Sequence, residues 1–128
     1  MSKQVIRTEQ APAPFQGAPY NQAIVANGFV FVAGQLGVDP RSGQVVEGGI
    51  GPQTERVLAN LSAILEAAGS SLAAIVKTTV FLTDLGNFQG MNEVYARHVG
   101  EDRPARSTVE ISALPSGALV EIEAIATV

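Results

Sequence analysis

Gln22-Ala23-Ile24-Val25-Ala26-Asn27-Gly28-Phe29-Val30-Phe31-Val32-Ala33 decides how the rest of the chain is read. Two apolar runs flank Asn27-Gly28, a pair that tolerates the positive φ of a two-residue hairpin turn, so the stretch predicts two antiparallel strands. Downstream, Asp39-Pro40-Arg41-Ser42-Gly43 reads as a turn. From Pro52 to Ala68 the apolar positions Val57, Leu58, Leu61, Ile64, Leu65 and Ala68 follow helical spacing, with Pro52 suited to the first turn and Gly69 to the stop. Ile75–Thr83 reads as a strand in which Val76, Thr78, Val80 and Leu82 alternate with Lys77, Thr79, Phe81 and Thr83. A second helix from Phe88 to Val99 carries Phe88, Met91, Val94, Tyr95 and Val99, and Gly100 ends it. Ser107–Ser112 and Leu119–Val128 are strands about the turn Ala113-Leu114-Pro115-Ser116-Gly117. Upstream, the Pro-rich Ala11–Tyr20 reads as an ordered, irregular lead-in.

The order ββ-α-β-α-ββ predicts one α+β domain over residues 1–128, a mixed sheet with two helices on one face. Two helices cover one side of such a sheet. Yet Phe29, Phe31 and Ala33 alternate with Val30 and Val32, so both faces of that strand are apolar. In the last strand Val120, Ile122, Ala124 and Ala126 face one way, while Leu119 and Ile125 share the other face with Glu121 and Glu123. A second half-apolar face is larger than soluble monomers usually leave open, which predicts that another copy of the chain covers it.

Composition removes several classes of function. A chain of 128 residues, 46% hydrophobic and 16% charged, is globular. With no Cys and one His, it has no disulfide, no thiolate nucleophile and no His-rich metal site. A net charge of −4 without a basic run lacks the footprint of nucleic-acid binding. No apolar run reaches the roughly 18–20 residues of a membrane span. Met1–Arg7 has no signal-peptide core, so a cytoplasmic location is expected, with no membrane partner.

Most polar residues have bland readings. His98, in the last turn of a helix, suits the dipole there. Asp39, Glu47, Asp84 and Glu93 read as solvated charges, and Gly48-Gly49-Ile50-Gly51 lacks the Lys of a phosphate loop. Arg106 opens a strand just after Pro104, where a long cation enters either solvent or a cleft. Glu121 and Glu123 share one face with apolar neighbours, where a carboxylate is costly without a partner or a task. Spacing alone leaves a salt-bridged interface and catalysis both open.

The run Pro104-Ala105-Arg106-Ser107, Leu114-Pro115 and Glu121-Ile122-Glu123-Ala124-Ile125-Ala126 resembles the signature of the RidA/YjgF family, also called the endoribonuclease L-PSP family. Pro19-Tyr20, Gln22-Ala23, Gly34-Gln35, Ala67-Ala68-Gly69, Val76–Phe81, Phe88, Asn92 and Tyr95 extend the match along the chain. The resemblance implies a chorismate-mutase-like (ferredoxin-like) fold in a homotrimer whose sheets line the interior, with clefts between subunits. It implies hydrolysis of 2-aminoacrylate and related enamines or imines to 2-keto acids and ammonia without a cofactor. Carried over, Arg106 binds the substrate carboxylate and Glu121 positions or activates water. Tyr20 and Asn92 line the pocket, and the backbone at Gly34 and Thr108 adds polar contacts.

Two positions depart from the pattern: Ala33 stands where the family commonly has Ser, and Thr108 where it often has Cys. The missing hydroxyl at Ala33 removes a hydrogen-bonding group beside the substrate. It supports the alternative of a non-catalytic module that binds small carboxylates or keto acids. A ribonuclease reading has little physical support in a chain of this charge.

Overall fold

The computed structural model describes residues 2–128. Its strands are β1 (Gln4–Ile6), β2 (Ala23–Ala26), β3 (Phe29–Leu36), β4 (Ile75–Leu82), β5 (Ala105–Glu110) and β6 (Val120–Thr127). Its helices are α1 (Ile50–Ala67) and α2 (Phe88–His98). The hairpin forms as the sequence predicts, with Asn27 at φ 53 and Gly28 at φ 79 between the paired residues Ala26 and Phe29. Helix α1 ends on Gly69 at φ 80. The Gly69 N–H donates to the Glu66 carbonyl and Ser70 N–H to that of Leu65, the double bond that closes a left-handed C-terminal cap.

The strands form one sheet in the order β1-β2-β3-β6-β4-β5, antiparallel throughout except for the pair β4–β5. Both helices lie on one face. There Val30, Val32, Val80, Leu82, Val120 and Ile122 of the sheet meet Val57, Leu58, Leu61, Ile64 and Leu65 of α1, and Met91, Val94 and Tyr95 of α2, all buried. Among the described residues no helix is long and apolar enough to cross a membrane.

Three details differ from the sequence reading. Gln4–Ile6 adds an edge strand, because pairing of Val5 with Ile24 captures a segment too short to show periodicity. Strand β5 begins at Ala105 rather than Ser107. Val76 does not share the face of Thr78. The register shifts between Ile75 and Lys77, leaving Ile75 and Thr78 buried and Val76 exposed.

Among the described residues no helix packs on the other face of the sheet. Phe29, Phe31 and Val109 are exposed there, beside the partly buried Phe81 and Ile125. On the covered side, the fully buried Asn60 donates to the carbonyls of Leu36 and Val38 at 3.1 and 2.9 Å. These bonds tie α1 to the chain leaving β3. Asn60→Ala should destabilise the protein by about 1–3 kcal/mol, the usual cost of orphaned buried acceptors. Urea unfolding should show a lower midpoint at unchanged slope.

Candidate active site

A bulge in β3 starts the site. Val32 pairs with Ala124 and Gln35 with Ile122, so β3 takes three steps where β6 takes two, and Ala33-Gly34 form the irregularity. The bulge brings the Gly34 backbone against the Glu121 side chain. A Cβ on Gly34 would lie 2.8 Å from Glu121 Cδ and 2.9 Å from Oε2, so glycine leaves the carboxyl where it is and any larger residue would make it shift.

Glu121 lies in a cleft of about 850 Å³ on the open side of the sheet. Leu36 and Val38 line one side, and the lead-in from Pro12 to Tyr20 lines another. Two rims have the same backbone. Gln16 (φ 52) and Gly17 (φ 68) form one left-handed turn, Ser116 (φ 57) and Gly117 (φ 69) the other. Each closes by a bond from the next alanine, Ala18 to the Phe15 carbonyl and Ala118 to that of Pro115. Left-handed non-glycine residues carry strain that surrounding structure must hold, and two of the three among the described residues are here. Buried Gln53 of α1 helps, accepting the Leu119 N–H at 2.8 Å as the chain enters β6. The Tyr20 hydroxyl accepts the Phe15 N–H at 2.7 Å.

The Glu121 carboxyl is half-buried, and its pKa is raised above the usual glutamate value, first by desolvation and then by the charge of Glu123. Glu123 is exposed on the same face and forms no ion pair among the described residues.

A second group of residues lies elsewhere. The Arg106 guanidinium stacks 4.8 Å from the Tyr95 ring centre and 5.6 Å from that of Phe88. The Tyr95 hydroxyl is fixed 2.6 Å from Thr78 Oγ1. Among the described residues no carboxylate pairs with Arg106, whose one recorded hydrogen bond goes to Met91 Sδ at 4.0 Å. Asn92, between Phe88 and Tyr95 on the helical stripe of α2, holds a buried Oδ1 with no hydrogen-bond partner. Thr108 follows Arg106 on the same side of edge strand β5, half-buried beside Val80.

The structure therefore brings Tyr20, Gly34 and Glu121 together, and separately Asn92, Arg106 and Thr108. It does not bring the two sets together within one chain. Arg106 pairs with Thr78, on the helix side of the sheet, whereas Glu121 pairs with Phe81, on the open side. The sequence pointed to neither the aromatic stack on Arg106 nor the matched left-handed rims. The spacing of Phe88, Asn92 and Tyr95 was visible, but not that β5 would lie beside it. His98 is no free surface charge. Its Nε2 lies 2.8 Å from Glu55, which also accepts from Arg97 at 3.0 Å, and so joins α2 to α1. Among the described residues no group of three metal-ligating side chains occurs.

The family model for Endoribonuclease L-PSP matches residues 8–128. A RutC family protein of Pyrococcus abyssi is 54% identical over 126 residues, 98% of each chain. The chain belongs to this family, the RidA/YjgF family. Its human member named 2-iminobutanoate/2-iminopropanoate deaminase is 40% identical over 97% of this chain and 89% of its own length. The crystal structure of E. coli TdcF with bound serine is 38% identical, with a TM-score of 0.90 over 98% of both chains. That likeness spans nearly the whole of both chains, so the sheet and its two helices are the fold of this family.

Two outcomes follow from the geometry. Gly34→Ala should push the Glu121 carboxyl out of place at little cost in stability, because a flexible side chain yields, and should shift the Glu121 titration in a carboxyl-resolved NMR experiment. For stability, a raised native pKa means that the folded state favours the protonated acid. That contribution is full below the ordinary glutamate range and is lost as pH rises through the native pKa. Glu121→Gln should therefore unfold at higher temperature than wild type at neutral pH, with the difference vanishing in acid.

Proposed function

We propose that this protein hydrolyses enamine and imine intermediates of the 2-aminoacrylate and 2-iminobutanoate type to 2-keto acids and ammonia. The reaction would occur in clefts that a neighbouring copy completes. The observation that carries the reading is the separation of two incomplete half-sites on opposite sides of one sheet. One is a desolvated carboxyl over Gly34; the other is an aromatic-stacked guanidinium without an anion. The exposed Phe29, Phe31 and Val109 give the second copy an apolar surface to cover, and a homotrimer with the sheets inside fits the family.

In this cleft Arg106 of one copy binds the substrate carboxylate through its planar fork, which the Phe88 and Tyr95 rings hold in orientation. Asn92 lies on the same stripe of α2 as the Phe88 and Tyr95 rings, and the Tyr20 hydroxyl adds a donor from the other copy. Water adds to the imine carbon while the Glu121 carboxylate takes its proton. That proton passes to nitrogen to give the carbinolamine; the same carboxyl then moves the new hydroxyl's proton to nitrogen as the C–N bond breaks and the C=O forms, and ammonia and the keto acid leave. A half-buried carboxyl whose pKa is raised holds the proton more readily between the two transfers, and no cofactor is required. Ala33 offers no hydroxyl to the ligand, which favours the second reading, a module that binds keto acids without turnover.

Keto-acid release from a serine or threonine dehydratase and its substrate, timed with and without this protein, separates the two readings. Arg106→Lys and Glu121→Gln should each lose about 10²-fold or more, the usual scale for a removed acid–base group or bidentate clamp. Mixed oligomers of the two inactive variants should regain about a quarter of wild-type activity, because a heterologous interface takes one group from each neighbour. Absence of recovery in oligomers proven to be mixed would place both groups in one chain's site and overturn the shared cleft.

A further inference from the structure

Gln22 is only 4% exposed, at the entry to β2 and against the cleft wall. Its carboxamide is committed to backbone. Oε1 accepts the Thr8 N–H at 2.8 Å, and Nε2 lies 3.0, 3.2 and 2.8 Å from the carbonyls of Thr8, Ala11 and Pro12. Two N–H bonds facing three acceptors leave no donor for a ligand, so Gln22 is not itself a ligand contact. No regular ladder does this work, since the chain between Thr8 and Pro14 is neither helix nor strand. Pro12 and Pro14 also lack the N–H with which a segment pairs.

What this side chain holds is the wall itself. Beyond Pro12 the chain runs along the cleft to Phe15, whose N–H donates to the Tyr20 hydroxyl at 2.7 Å. An oxygen that accepts from Phe15 turns its own proton away from Phe15. Tyr20 and Phe15 both line the cleft.

We propose that Gln22 is a positioning residue. By fixing the backbone of Thr8, Ala11 and Pro12 it holds the Phe15 N–H on Tyr20 and aims the Tyr20 hydroxyl proton into the cleft. This rests on the reading of the cleft as the substrate site. Glutamine is required rather than glutamate, because a carboxylate would meet three carbonyl oxygens.

Three variants test it. Gln22→Met keeps the length and removes every bond, Gln22→Glu keeps the shape and removes the donors, and Tyr20→Phe removes the exposed hydroxyl. Amide exchange by NMR should quicken about tenfold at Phe15 in all three, while Leu65 and Val80 stay protected. Binding of 2-oxobutanoate should weaken about tenfold in each Gln22 variant, the scale of one misdirected hydrogen bond. The Gln22→Met, Tyr20→Phe double variant should bind no more weakly than Tyr20→Phe alone, a coupling that a purely structural role would not produce. Unchanged exchange at Phe15, or losses that add in the double variant, overturns the proposal. A wild-type protein that neither binds 2-oxobutanoate nor hydrolyses imines overturns the substrate reading instead, and the Phe15 exchange rate still decides whether Gln22 holds this wall.

Discussion

Strand β6 lies at the middle of the sheet, and its two-residue period sorts the molecule into a packed side and a working side. Val120, Ile122, Ala124 and Ala126 go under the helices, while Glu121, Glu123 and Ile125 face the other way. A one-residue slip would bury two carboxylates beneath α1 and expose the core, so register and function are fixed together. The slip is blocked on both flanks: β3 pairs along one edge of β6 and β4 along the other. The bulge at Ala33-Gly34 is then the local departure that lets a carboxyl fit beside a strand whose neighbours are close.

The arrangement has an energetic cost at each end. Burial opposes ionisation of Glu121, Gln16 and Ser116 hold left-handed backbone, and Asn92 buries an oxygen without a partner. None of these improves the fold, and each would be removed by a sequence chosen for stability alone. They occur in the two regions that the proposed reading assigns to the site. The buried carboxamides Gln22, Gln53 and Asn60 offset part of that cost. Each ties down a different segment around the cleft, through Thr8–Pro12, Leu119, and Leu36 with Val38.

Local signals made most of the fold legible. Asn27-Gly28 marked the hairpin, the spacing of Val57 to Leu65 marked α1, and the alternation in Val120–Ala126 assigned its faces correctly. What stayed hidden depends on pairing at a distance. Three residues cannot show a period, so β1 could not be read. The extra residue at Val76 breaks an alternation that looks regular in one dimension. The site divided in the same way. Strand alternation put Glu121 on a part-apolar face and position marked Arg106 after Pro104; resemblance gave both a role and supplied Asn92 and Tyr20. That Arg106 stacks on Tyr95 follows from β5 running parallel to β4 across α2, which no spacing encodes.

The two half-sites also constrain how copies meet under the proposed reading. The Glu121 half lies on the open face at β3 and β6, and the Arg106 half at the β5 edge, on the helix side. They are different surfaces. A two-fold axis would have to bring the β5 edge of each copy to the open face of the other at the same time, closing at two subunits. Repeated head to tail, the contact between the β5 edge of one copy and the open face of the next either closes into a ring or runs on as a filament. Phe29, Phe31 and Val109 favour closure, because a ring can turn every open face inward at once. Each interface would then contain one carboxyl and one guanidinium from different chains. Assembly and a complete cleft would be a single event, and an isolated subunit would have neither.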